Sequence, residues 1–217
     1  MRVYFPAPTT APAAYTQIAV GVFYAYIMTT YAVDFETYYD KKCSIRTLGV
    51  MGYFTHPDFD AYLVSVVGSD GYEFVGTPRD FDWSMLEDQL VLSHNASFDE
   101  TLYLFGAEQG WWPLVSAKEW HCTAALAAYC GHPRSLKKAS AEVLDVDLSK
   151  ATRDNMRGKR WDSMTPEFQK EVLEYATSDS EYCLKLWDAL QSKWPAAERR
   201  ISVINRACSR RGLPIDT

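Results

Sequence analysis

With 217 residues the chain can bury one full hydrophobic core, whereas two equal domains would be cramped. Its 47% hydrophobic and 23% charged residues, with only 11 Gly and 10 Pro, exclude a disordered, collagen-like or coiled-coil protein. The formal net charge of −6 argues against strong non-specific binding to duplex nucleic acid, because such binding grows with the number of phosphates neutralised by Lys and Arg.

Residues 1–27 are expected to be an N-terminal extension of unknown role. The apolar stretch 18–28 is broken by Gly21 and falls short of the roughly 20 residues a membrane span needs, so no membrane association is expected. β-Favouring runs at 31–35, 62–67 and 72–75 predict three strands joined by short turns, the last turn at Gly68-Ser69-Asp70-Gly71. A short helix is expected at 83–89, a strand at 90–93, a helix at about 97–105, and a strand at 120–122 that leads into 124–129. After that the pattern is helical. Thr165-Pro166-Glu167 is a capping residue followed by proline at the first helical position, and the apolar period then runs to Leu190 before Trp194-Pro195 stops it. A last helix, 196–211, ends at Gly212. The fold class is α/β: a mixed sheet with helices on both faces.

The five cysteines (Cys43, Cys122, Cys130, Cys183, Cys208) are odd in number and scattered, with no Cys-x-x-Cys pair. They read as free thiols in a reducing compartment. Charge is uneven along the chain: residues 34–108 carry fourteen acidic side chains against four basic ones, while 134–160 carry eight basic against four acidic. The first stretch would repel a phosphate backbone and the second could attract one, although both runs could equally be solvated surface.

Asp34 and Glu36 stand two apart on an expected strand, so both face one side while Val33 and Phe35 anchor the other. On the long helix, the apolar stripe Phe168, Val172, Ala176, Cys183, Leu186, Leu190 passes through Asp179, a carboxylate where a core residue would stand. A buried carboxylate needs a cation, a donor or a shifted pKa, and a salt bridge to Lys or Arg would also serve. Tyr175 lies one turn earlier on the same side. Ser93-His94-Asn95-Ala96-Ser97-Phe98-Asp99 puts Asn95 at a strand exit, where sites are commonly built, and Asp99 in the first turns of a helix. Helix capping by Asn95 or Ser97 is the plainer alternative.

The segments Asp34-Phe35-Glu36-Thr37, Asn95-x-x-Phe98-Asp99 and Tyr175-x-x-x-Asp179 resemble, in order and residue type, the three motifs of the DnaQ-like 3′-to-5′ exonucleases. Tyr175 stands four residues before Asp179, and the position five before is Glu174 rather than His, which marks the tyrosine variant. Residues 34–53, Trp120-His121-Cys122-Thr123, Gly131-His132-Pro133-Arg134-Ser135-Leu136 and the end from Arg211 to Asp216 are similar to the proofreading domain of phage-type family A DNA polymerases. The resemblance covers about 28–217. It implies a ribonuclease H-like mixed sheet flanked by helices, with an exonuclease domain at 28–194 and a C-terminal helix and tail at 195–217. In those polymerases that tail leads into the polymerase domain; a stand-alone enzyme, a split polymerase or an excised domain would each explain a chain that stops there.

The resemblance further implies two divalent ions, Mg²⁺ or Mn²⁺. Asp34 would bridge both, Glu36 and Asp179 would complete the site of the attacking water, and Asp99 would hold the second ion through water. Tyr175 would orient the nucleophile, Thr37 and Asn95 would contact substrate, and Phe98 would be core. Converging carboxylates repel by about 4 kcal/mol per close pair at an effective dielectric near 20, which hard divalent cations relieve. Two ions about 4 Å apart suit an in-line displacement. The implied partners are a single-stranded or frayed DNA 3′ end and a separate polymerase subunit, in the cytoplasm, that of the host cell if phage-encoded. Tyr38, Tyr39, Trp111 and Trp112 are candidates for stacking on bases. An RNA-trimming enzyme of the same superfamily and a catalytically silent binding or scaffold part of a split polymerase stay open, because the motifs do not separate DNA from RNA. A zinc set of His121, Cys122, Cys130 and His132 is disfavoured, since adjacent strand residues face opposite sides.

Overall fold

Along Thr30–Thr37 (β1) every second side chain meets a different core, and this strand organises the molecule. The computed structural model describes residues 28–149 and 151–212; the expectations for 1–27 and for the end of the chain at 213–217 lie outside the described residues. The remaining strands are β2 (Ala61–Gly68), β3 (Glu73–Gly76), β4 (Leu90–Ser93) and β5 (Glu119–Cys122), and the helices are α1 (Ile45–Phe54), α2 (Ala96–Glu108), α3 (Thr123–Tyr129), α4 (Leu136–Leu144), α5 (Ala151–Met156), α6 (Pro166–Leu190) and α7 (Ala196–Arg211). The sheet order is β3-β2-β1-β4-β5. Strands β1, β2 and β3 pair antiparallel, while β4 runs parallel to β1 and β5 parallel to β4. This is the mixed sheet with helices on both faces that the sequence implies.

The odd-numbered residues of β1, Tyr31, Val33 and Phe35, enter a core shared with α1 and α2. Ala32, of the other parity, packs with Leu92, Leu126, Leu186 and Trp187 beneath α6. Because strand side chains alternate, Asp34 and Glu36 continue the α6 face beyond Ala32. The long helix starts as its sequence dictates: Thr165 Oγ1 accepts from the Phe168 N–H at 3.3 Å, with proline at the first position. Val172, Ala176, Cys183, Leu186 and Leu190 of the stripe are buried against the sheet.

Two of the expected elements need correction. The first two strands are not joined by a short turn, because α1 lies between them. Its apolar residues Ile45, Leu48 and Met51 face outward, and Gly49 breaks the helix at φ 70°, so no amphipathic period announces it. Asp40 Oδ1 prepares its start by accepting from the Lys42 and Cys43 N–H groups at 2.7 and 2.6 Å. The element expected at 83–89 is a single 3₁₀ turn, Trp83–Leu86, since Asp88 takes up a left-handed conformation before β4 begins.

Trp112 is a core residue and not a base-stacking one. Its ring stacks on Phe35 at 5.7 Å and on Trp83 at 5.4 Å, and its indole N–H donates to the Tyr103 carbonyl at 2.9 Å. Gly106 makes room for it, for a Cβ there would lie 2.0 Å from the Trp112 ring. Trp111, half-buried, stacks on Phe59.

The C-terminal α7 packs against α2 and β5. Buried Arg206 fastens it, donating to Glu100 at 2.9 Å, to Ser202 at 3.2 Å and to the Trp120 carbonyl. Removing one partner of a buried ion pair strands the other, at a cost of about 3 kcal/mol. Arg206→Ala is therefore expected to lower the urea-unfolding free energy by about that amount, whereas a change within about 0.5 kcal/mol would mean that α7 is not held by this pair. No helix among the described residues is long and apolar enough to cross a membrane.

Candidate active site

Three elements bring the acidic residues together. Asp34 and Glu36 come from the end of β1, Asp179 from the middle of α6, and Asp99 from the first turn of α2. Carboxylate oxygens of Asp34, Glu36 and Asp179 lie within 4.8 Å of one another. Asp99, 2% exposed, stands outside that trio, and its Oδ1 accepts from the Phe35 N–H at 3.3 Å, the peptide between Asp34 and Glu36. All four line one cavity of about 570 Å³ together with Thr37, Asn95 and Tyr175.

Electrostatics make this cluster strained without cations. Burial pushes Asp34 well above the ordinary carboxylate range, and the charges of Glu36, Asp99 and Asp179 push it further. Burial, then Asp179, drives Glu36 up to about 8. Asp99 rises to about 7, mainly through burial, although the backbone N–H groups of Phe35 and of Asp99 itself oppose the rise. Tyr175 hydrogen-bonds to Asp179, and burial together with the Asp179, Glu36 and Asp34 charges holds it firmly as the neutral phenol. The arrangement is one of hard oxygen donors with excess negative charge, beside a hydroxyl that stays protonated.

No protein-family model and no curated protein matches the sequence. Solved structures do match in fold. NrnC of Brucella melitensis, in a structure with bound Mg²⁺, is 18% identical over 84% of this chain and 82% of its own, with a TM-score of 0.56. RNase D of Escherichia coli, described as an exoribonuclease involved in structured RNA processing, is 20% identical over 85% of this chain and 46% of its own, at a TM-score of 0.55. RNase D of Trypanosoma brucei, in complex with the RNA U12, is 16% identical over 87% of this chain and 65% of its own, at a TM-score of 0.60.

The chain has the ribonuclease H-like α/β fold of these structures.

The remaining sequence-derived residues fall as follows. Thr37 is buried at the cavity wall, its hydroxyl hydrogen-bonded to the Tyr53 hydroxyl at 2.8 Å. Asn95 is exposed on the rim, and its side chain makes no capping hydrogen bond to α2. Phe98 packs on the core. Tyr39 lines the cavity, whereas Tyr38 lies under the Arg160 guanidinium at 4.4 Å and bonds Asp40. The zinc set does not assemble: His121 pairs with Glu119 at 2.7 Å, the Cys122 thiol reaches the His94 carbonyl at 3.5 Å, and His132 meets Glu142 at 3.1 Å.

Two residues of the site were not singled out from the sequence. Arg153 lines the cavity, and its charge lowers the pKa of Asp34, Glu36 and Asp99, partly offsetting their repulsion. The Tyr39 hydroxyl anchors it by donating to its backbone carbonyl at 2.6 Å. The only signal was its place in the basic run 134–160, which also brings Arg134 and Lys137 to the cavity. His94, between β4 and Asn95, holds the wall through Thr123 at 3.0 Å and the Arg134 carbonyl at 2.7 Å, and burial pushes it down to about 4.

Proposed function

We propose that this chain is a two-metal-dependent 3′-to-5′ exonuclease that hydrolyses single-stranded or frayed DNA ends, in the proofreading role of phage-type family A polymerases. The observation that carries the reading is the convergence of Asp34, Glu36 and Asp179 within 4.8 Å, from two elements far apart in sequence. The donor set fits Mg²⁺ or Mn²⁺: every ligand is a hard oxygen, and the raised carboxylate pKa values mark a charge excess that a cation relieves. Asp34, Glu36, Asp99 and Asp179 are the residues that would hold the ions. When bound, divalent ions supply an activated water and neutralise the leaving 3′ oxygen.

The chain's own groups would do the rest. Tyr175, locked as a phenol whose proton goes to Asp179, would present its oxygen as a fixed acceptor beside the carboxylates to orient the attacking water. Thr37 and Asn95 stand on the cavity wall where a terminal nucleotide would lie. Arg153 supplies a fixed positive charge next to the reacting phosphate. Tyr175→Phe removes one charge-assisted hydrogen bond and is expected to lower kcat roughly 10- to 100-fold. Mn²⁺ affinity by titration calorimetry should stay within about twofold, and a large loss of affinity instead would make Tyr175 part of the metal site.

Tyrosine rather than histidine in the third motif supports the polymerase-type class, and Glu174, at the histidine position, is exposed beside Lys170. A separate polymerase subunit is the partner this reading calls for. The five cysteines are free thiols, in keeping with a reducing cytoplasm. One observation favours RNA as substrate: a structure that shares the fold was solved with RNA U12 bound. Digestion of 3′- and 5′-labelled single-stranded DNA beside an RNA of the same sequence, with Mg²⁺, Mn²⁺ or EDTA, tests both readings. A metal-dependent ladder from the 3′ end of DNA, absent in Asp34→Ala, is expected. A ladder on RNA alone would select the RNA reading, and no cleavage of either polymer would leave a silent scaffold.

A further inference from the structure

A hydrogen-bond chain in the cleft wall, buried at its Thr123–Cys183 end, has only one direction. The Arg134 carbonyl, 2.7 Å from His94 Nε2, can only accept, so Nε2 carries the proton. Burial keeps the ring neutral, so Nδ1 is an acceptor and the Thr123 hydroxyl, 3.0 Å away, donates to it. With that proton committed, Thr123 Oγ1 accepts from the Cys183 thiol at 3.3 Å. The chain thus runs from α6 through α3 and His94 to the backbone of the loop between α3 and α4.

What it holds in place is Arg134. The Arg134 side chain is exposed and forms no ion pair among the described residues, unlike Lys137, which Asp147 neutralises at 2.8 Å. Arg134 also lines two cavities. One is the catalytic cleft, and the other, of about 480 Å³, runs between α3 and α7 past Tyr129, Ile201 and Asn205. It is the residue where the two meet. A strand whose 3′ end sits among four carboxylates has to lead its 5′ portion out of the cleft, and its next phosphate needs a cation at the exit.

We propose that Arg134, with its backbone fixed by His94, binds a backbone phosphate on the 5′ side of the scissile bond, where the strand passes from the cleft into the groove beside α7. This rests on the nuclease reading above. Arg134 is a binding residue here and His94 a positioning residue.

The test is steady-state hydrolysis of an eight-nucleotide oligothymidylate and of an unphosphorylated dinucleotide, whose one phosphate is the scissile one, with oligouridylates run in parallel. Arg134→Ala is expected to raise KM for the octamer about tenfold with kcat within about twofold, to reduce the salt slope of log kcat/KM by about one, and to leave the dinucleotide unchanged. Arg134→Lys should recover part of the loss. His94→Ala should raise the octamer KM less, and should add nothing in the Arg134→Ala background, a coupling that general destabilisation would not produce. His94→Gln replaces it if circular dichroism shows His94→Ala to be unfolded. An Arg134→Ala enzyme with the wild-type octamer KM and salt slope, or with equal losses on both substrates, overturns the proposal while the nuclease reading stands. A wild-type chain that cleaves neither oligonucleotide overturns both.

Discussion

Asp34→Asn is expected to abolish hydrolysis and, in the absence of divalent ions, to raise the melting temperature. The two effects have one cause. Burial, and then the charges of Glu36, Asp99 and Asp179, raise the pKa of Asp34 well above the ordinary range, so the folded state disfavours its carboxylate form. Asparagine keeps the shape and removes the charge. Its amide cannot ligate as a carboxylate, and losing a metal's several kcal/mol of transition-state stabilisation corresponds to a fall in kcat on the order of 10³- to 10⁴-fold. Relief of even about 1–2 kcal/mol of repulsion in a chain of this size moves the melting temperature up by about 3–6 °C. Scanning calorimetry in EDTA beside the labelled-oligonucleotide assay checks both. An inactive variant that melts below the wild type would make Asp34 a structural group whose charge the fold requires.

The second large effect is a pH-dependent stability that metal removes. Glu36 and Asp99 are held at about 8 and about 7 in the folded chain against ordinary values of 4.5 and 3.8. Between those limits the folded chain keeps protons that the unfolded chain has released, so their stabilising contribution is complete below about pH 4 and is lost as pH rises through 7 to 8. In EDTA the melting temperature should fall by several degrees from about pH 5 to about pH 9. Each tenfold difference in proton affinity between the folded and unfolded chain is worth roughly 1.4 kcal/mol, before coupling between the carboxylates reduces it. With Mg²⁺ or Mn²⁺ the ions take the place of those protons, so the stabilisation by metal should be near zero at about pH 5 and largest at about pH 9. Glu36→Gln should flatten the EDTA curve. A metal effect of equal size at all pH values would mean that the ions bind elsewhere.

Much of this site could be read from the chain because each piece rests on a local rule. Alternation along β1 put Asp34 and Glu36 on one side and Val33 and Phe35 on the other, and the structure keeps that division, with Phe35 packed against both Trp83 and Trp112. Thr165 and Pro166 set the start of α6, and its apolar period carried Asp179 toward the sheet. Where no such rule operated, the sequence reading went astray. The helix α1 turns Ile45, Leu48 and Met51 outward and has a glycine break, and adjacent tryptophans at 111 and 112 gave no sign that one is core and the other half-buried.

The shared face of Asp34 and Glu36 on a strand and of Tyr175 and Asp179 on a helix was therefore legible in residue spacing, because a period of two or of 3.6 turns spacing directly into a shared face. Which cations meet those carboxylates was decided only by the tertiary structure. Arg153 reaches the cluster with its backbone held by a hydrogen bond from Tyr39, 114 residues away, and the Arg134 carbonyl at the cavity wall is held through a ring, a hydroxyl and a thiol drawn from three separate segments. Such contacts have no period in the sequence, since their partners come together only after the sheet has formed and the helices have docked on it.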